Sequence, residues 1–67
     1  MTADEIRADL IANPQGAMSA ADAGRVLELS KDRVEILVLT GHLDGTIGQG
    51  FRVSSVDRAS VLAALGM

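Results

Sequence analysis

Near the N-terminus the apolar residues recur at helical spacing: Ile6 and Leu10 stand four apart, with Ile11 alongside, and share one face. Ahead of them Thr2-Ala3-Asp4-Glu5 has the form of a capping box, in which the Thr2 hydroxyl accepts from the third helical N–H and Glu5 reaches back to the Thr2 amide. Asn13-Pro14 ends the pattern, because the residue before proline is pushed out of the α region. This predicts a helix over 2–12 and a short connector over 13–17. Ser19-Ala20-Ala21-Asp22 repeats the capping signal after Met18 and opens a second helix whose narrow face, Ala20, Ala23, Gly24 and Leu27, lets another helix approach closely. Ser30 caps a third helix that starts with Lys31-Asp32-Arg33, carries Val34, Ile36, Leu37, Val38 and Leu39, and stops at Thr40-Gly41. The period then changes. His42–Ile47 and Phe51-Arg52-Val53 are short β-favouring runs around Gly48-Gln49-Gly50, which predicts a hairpin. Ser54 or Ser55, acting with Asp57, is expected to cap a last helix that carries Ala59, Val61, Leu62 and Leu65.

Composition narrows what such a chain can be. Its 67 residues make one small domain, and 48% hydrophobic against 22% charged residues is the balance of a globular chain. Phe51 is the only aromatic residue, so the core has to be assembled from Ala, Val, Leu, Ile and Met. With no cysteine there is neither a disulfide nor a thiolate metal site to reinforce it, which leaves oligomerisation as the available support. The formal charge is −3, the opposite sign from that of most nucleic-acid binders. Two thirds of that excess lies in residues 1–16, where Asp4, Glu5 and Asp9 face only Arg7; residues 17–67 are close to neutral. The acidic start does not have the form of a signal peptide, and Ile36–Leu39 is far shorter than the ~20 apolar residues of a membrane span, so a cytoplasmic, membrane-free protein is expected.

Little in the chain has the form of catalytic or metal chemistry. His42 is the only histidine and has no companion ligand, so it reads as a surface residue beside a turn, and no metal or cofactor is expected. Gly48-x-Gly50 lacks the following Lys-Ser/Thr of a phosphate loop and reads as a tight turn. Phe51 is expected in core or hairpin packing, and a single aromatic does not make the stacking platform of single-strand or RNA binders. No triad, paired-carboxylate spacing or small-molecule site stands out, so an enzyme is not expected.

Helix, three-residue turn, helix, glycine, small hairpin, helix is the order of a winged helix-turn-helix. The run from Met18 to Leu43, with Ser30-Lys-Asp-Arg-Val34, Leu37-Val38 and Gly41-His-Leu43 inside it, followed by Phe51-Arg52-Val53, resembles the excisionase-like and MerR-like DNA-binding domains. The resemblance covers 18–65, about three quarters of the chain. It implies a mainly α fold with a small β-hairpin wing, over a single domain 1–67 to which 2–12 adds an extra N-terminal helix. It also implies double-stranded DNA as partner: helix 30–40 enters the major groove and wing 43–53 meets backbone or minor groove. Carried over by position, Ser30, Lys31 and Arg33 are the groove or phosphate contacts, and Gln49 and Arg52 the wing contacts. Without DNA, Lys31 and Arg33 are solvated charges beside Asp32 and Glu35, and Arg52 pairs with a carboxylate such as Asp44 or Asp57. The implied roles are those of a phage- or plasmid-type recombination directionality factor or a compact transcription regulator, acting as a dimer or a cooperative assembly because its cations are few.

The chain departs from that pattern in three places. Glu28 stands where a glycine often precedes the second helix of the motif. Asp32 and Glu35 put carboxylates on or near the face that would meet phosphate. Ile36 and Leu39 occupy positions that the resemblance reserves for polar or basic residues, and an apolar face needs a cover. The expectation is that the Ile6/Leu10 face of the first helix supplies it, within one chain or across a homo-oligomer. A scaffold given over to protein–protein interaction, with little or no DNA binding, is the alternative function.

Overall fold

The computed structural model describes residues 2–66 as four helices and a small antiparallel sheet. The elements follow the order α1 (Ala3–Ala12), β1 (Ala17–Met18), α2 (Ala20–Leu27), α3 (Lys31–Leu39), β2 (Gly45–Ile47), β3 (Val53–Asp57) and α4 (Arg58–Ala64), with a 3-10 turn at Gln49–Phe51 between β2 and β3. The sheet order is β1-β3-β2. The fold is thus mainly helical with a three-stranded sheet.

The helix starts are set by local chemistry. At α1 both halves of the capping box form: the Glu5 N–H donates to Thr2 Oγ1 (3.3 Å) and the Thr2 N–H to Glu5 Oε1 (3.2 Å). Ser19 Oγ accepts from the Asp22 N–H and Ser30 Oγ from the Arg33 N–H, at 3.1 and 3.2 Å. Between α2 and α3, Glu28 turns the chain in the left-handed region (φ 60°, ψ 40°), and the Leu29 N–H returns to the Gly24 carbonyl at 2.8 Å. Gly24 permits that return, since a Cβ there would lie 2.6 Å from the Leu29 carbonyl oxygen. The small-residue face of α2 therefore accommodates the turn into α3.

Three expectations fail at the strands. The connector after α1 contains β1, whose Ala17 and Met18 pair with Asp57 and Val56. Ser54 and Ser55 do not cap the last helix; they lie inside β3, which runs on to Asp57, and α4 begins only at Arg58. Val53 and Val56 look helically spaced, but a register irregularity opposite Thr46-Ile47 puts Ser54 out of pairing, so both valines reach the same core. Ser54 Oγ donates to the Thr46 carbonyl at 3.1 Å, within that irregular stretch. Residues 42–44 are not strand either: His42 and Leu43 donate their N–H groups to the Leu37 carbonyl and wrap the end of α3, which buries Leu43.

One apolar cluster joins all the layers: Ile6 and Leu10 from α1, Met18, Ala20, Ala23 and Val26, Val34 and Val38 from α3, Leu43, Val53 and Val56, and Val61 from α4. It has the aromatic-free composition that the sequence requires. The expected pairing of Ile6/Leu10 with Ile36/Leu39 is corrected here. Ile6 and Leu10 are buried in this core, where α1 packs on α2 and α4, whereas Ile36 and Leu39 are 47% and 43% exposed. Arg58 fixes the arrangement by donating to Asp9 Oδ2 (2.8 Å), to the Asn13 carbonyl (3.0 Å) and to the Ala17 carbonyl (3.4 Å). The N-terminal helix is therefore built into the core. Among the described residues, no helix is long and apolar enough to cross a membrane.

Candidate functional site

The residues singled out from sequence fall on two neighbouring segments, the first turn of α3 and the β2–β3 connection. Ser30 is engaged as the N-cap: its hydroxyl oxygen accepts from the Arg33 N–H and orders the helix start, a bond that leaves its O–H proton available to donate. Lys31 and Arg33 are exposed on that turn. Among the described residues the ion pairs are Arg25–Asp22, Arg52–Glu35 and Arg58–Asp9, which leaves Lys31, Arg33 and Arg7 as the unpaired cations. Two of the three thus lie in the first turn of one helix, where its dipole adds positive potential.

Arg52 is brought to the same helix. Its Nε lies 3.7 Å from Glu35 Oε2, and that oxygen also accepts the Val53 N–H at 3.3 Å. The partner is therefore Glu35, not Asp44 or Asp57. Glu35 is one helical turn beyond Lys31, so its carboxylate is the strut between α3 and the connection. The Arg52 side chain remains 75% exposed, and its terminal nitrogens make no hydrogen bond among the described residues. Around it the connection is closed by the Gly48 N–H on the Arg52 carbonyl (2.7 Å) and the Arg52 N–H on the Gln49 carbonyl (3.4 Å), while Gln49 stays exposed.

Two functional features escape sequence reasoning. Glu35 reads there only as an acid opposed to anion binding; the structure adds that it pairs with Arg52, accepts the Val53 N–H and so holds the β2–β3 connection on α3. Phe51, expected in the core or hairpin packing, is 77% exposed, with φ 59° directly after Gly50 at φ 68°. A lone aromatic between glycine and arginine in a polar turn was the available signal, because such a turn has no interior for the ring to enter.

The outward face of α3 is mixed. Ile36 lies one turn from Asp32 and opposite the buried Val34 and Val38, with Leu39 next to it. Elsewhere, a shallow open depression of about 520 Å³ is lined by His42, Asp44, Ser60 and three alanines and contains no Lys or Arg. His42 Nδ1 is hydrogen-bonded to Thr40 Oγ1 at 2.8 Å. Among the described residues no group of three or more His, Asp or Glu side chains is placed to hold a metal ion. No protein-family model, curated protein or solved structure matches the chain.

Proposed function

We propose that the chain binds double-stranded DNA as a winged helix-turn-helix, with α3 directed into the major groove and the β2–β3 connection acting as a wing on the flanking backbone or minor groove. The observation that carries this reading is the Glu35 strut, which holds the wing cation Arg52 against α3, the helix whose first turn carries the unpaired Lys31 and Arg33. The element order supports it as well: α2 and α3 are joined by residues 28–30, Glu28 supplies the left-handed turn, and a hairpin follows a glycine stop at Gly41. Lys31 and Arg33 are then phosphate or base-edge contacts, Ser30 sets the helix start, and Gln49 and Arg52 are the wing contacts.

With a formal charge of −3 and three placed cations, binding is weak for one copy, and occupancy depends on a homo-oligomer or on neighbouring copies along the duplex. Recombination directionality and transcription regulation are the processes this mode serves. The test is a titration of fluorescently labelled random-sequence duplex at low salt. Saturable binding that Lys31→Ala and Arg33→Ala each weaken is the expected result; no binding at tens of micromolar protein contradicts it.

A second reading has its own observation: Ile36 and Leu39 are bare on the outward face of α3, where a protein partner or a second copy would cover them. Mass measurement by size exclusion with light scattering, on the wild type and on Ile36→Lys/Leu39→Lys, separates the two. A surface that serves protein contact loses its complex in the variant, whereas a surface that serves DNA gains affinity.

A further inference from the structure

Phe51 is the only aromatic side chain and contributes nothing to the core, and it is 77% exposed in the β2–β3 connection. Its backbone angle does not account for its presence. At φ 59° a side chain with a Cβ is disfavoured and glycine or asparagine is the usual occupant, so the turn itself would be better served by another residue. Nor is the ring on a loose tether. The Gly48–Arg52 and Gln49–Arg52 backbone bonds close the turn, and Glu35 holds both the Arg52 side chain and the Val53 N–H. A large apolar group is therefore held outward on a braced base.

The chemistry around the ring narrows its partner. Residues 48–52 themselves contain no acid, and Gln49 and Arg52 stand on either side of Gly50-Phe51 as exposed donors, Arg52 holding Glu35 through Nε. Donors of this kind suit the acceptors on the floor of an A·T-rich minor groove, and wedge residues in minor-groove proteins are apolar side chains set among Arg, Lys, Asn or Gln. We propose that Phe51 is a wedge that enters the minor groove between two base pairs, partly unstacks them and bends the duplex toward the major groove. This rests on the DNA-binding reading above and adds to it a specific mode: the protein deforms its site, preferring flexible pyrimidine–purine steps such as TA and CA.

The experiment uses a short A·T-rich duplex containing TA steps, labelled at its ends with a donor and an acceptor, and titrated to saturation at low salt. The proteins are the wild type, Phe51→Ala, Phe51→Leu and Lys31→Ala, each checked for folding by circular dichroism. Wild type should raise energy transfer on saturation. Phe51→Ala should bind roughly tenfold more weakly and leave transfer at the value of free DNA, while Phe51→Leu retains part of the bend. Lys31→Ala keeps the ring and should bend the duplex fully once enough protein is added. Equal transfer for wild type and Phe51→Ala at saturation overturns the wedge and leaves DNA binding standing, and so does wild-type saturation without any change in transfer. Absence of wild-type binding overturns both.

Discussion

Glu28 and Phe51 share a property found in no other described residue: each has a Cβ and is held at a positive φ near 60°. Glu28 makes no ion pair among the described residues, so its replacement isolates the backbone cost. Glu28→Gly should stabilise the protein by about 1 kcal/mol, read from chemical denaturation, because glycine takes the left-handed region without a steric penalty. A second residue-scale expectation concerns Asp9. Its hydrogen bond to Arg58, together with the charge of that guanidinium, holds the carboxyl below its ordinary 3.8. The folded chain therefore binds this proton less readily than the unfolded chain. The contribution is complete above the unfolded value and is lost as pH falls through the folded one. Thermal melts from about pH 6 to about pH 3 should show stability declining across the lower part of that range, and Asp9→Asn should flatten the decline. The flattening is partial, since the Thr2 hydrogen bonds lower Glu5 in the same direction. The individual cations Lys31, Arg33 and Arg52 were readable in the sequence, being set by position within a motif. The role of Glu35 was not, because its meaning depends on which residue of a distant turn arrives opposite it.

At the scale of elements, what is local was legible and what is paired was not. Three of the four predicted caps, at Thr2, Ser19 and Ser30, form, since each is a contact across three residues. The two-residue β1 was missed because Ala17-Met18 has no strand signal of its own; it exists through pairing with Val56 and Asp57 nearly forty residues away. The serines of β3 misled for a related reason. Ser-Ser ahead of an apolar run has the look of a cap, and only the irregular register against β2 makes Val53 and Val56 a strand pair facing the core. The apolar faces of α1 and α3 were each recognised, but the sequence could not say that α1 would bury its own against α2 and α4 and leave the outer face of α3 bare. That result carries an expectation opposite to the one a masked face would give. Ile36→Lys/Leu39→Lys should change unfolding free energy by no more than about 0.5 kcal/mol per site, because each side chain is nearly half exposed and neither belongs to the core cluster. It should also strengthen low-salt binding to random duplex, through two added cations on the face directed at the groove. A large fall in melting temperature would show instead that these side chains are covered.

For the whole molecule, charge and core set the terms. A core without aromatic residues closes because four helices and two of the three strands, β1 and β3, contribute to one cluster, and Arg58 ties the N-terminal helix to the sheet and to α4. The net charge of −3 is unevenly placed: acids accumulate near the N-terminus, while the cations without ion partners include two at the start of α3. On the DNA-binding proposal, a few cations on an acidic body would attract a duplex only at short range and in a salt-sensitive way. The most direct measurement is therefore the dependence of duplex affinity on salt for wild type and Lys31→Ala. Three phosphate contacts, from Lys31, Arg33 and Arg52, give a slope of log K against log salt of about −2.7, or roughly a 40-fold loss between 50 and 200 mM. Lys31→Ala should reduce that slope by about one. Binding that is absent at low salt, or whose slope is unchanged by Lys31→Ala, would contradict the assignment of this surface to DNA.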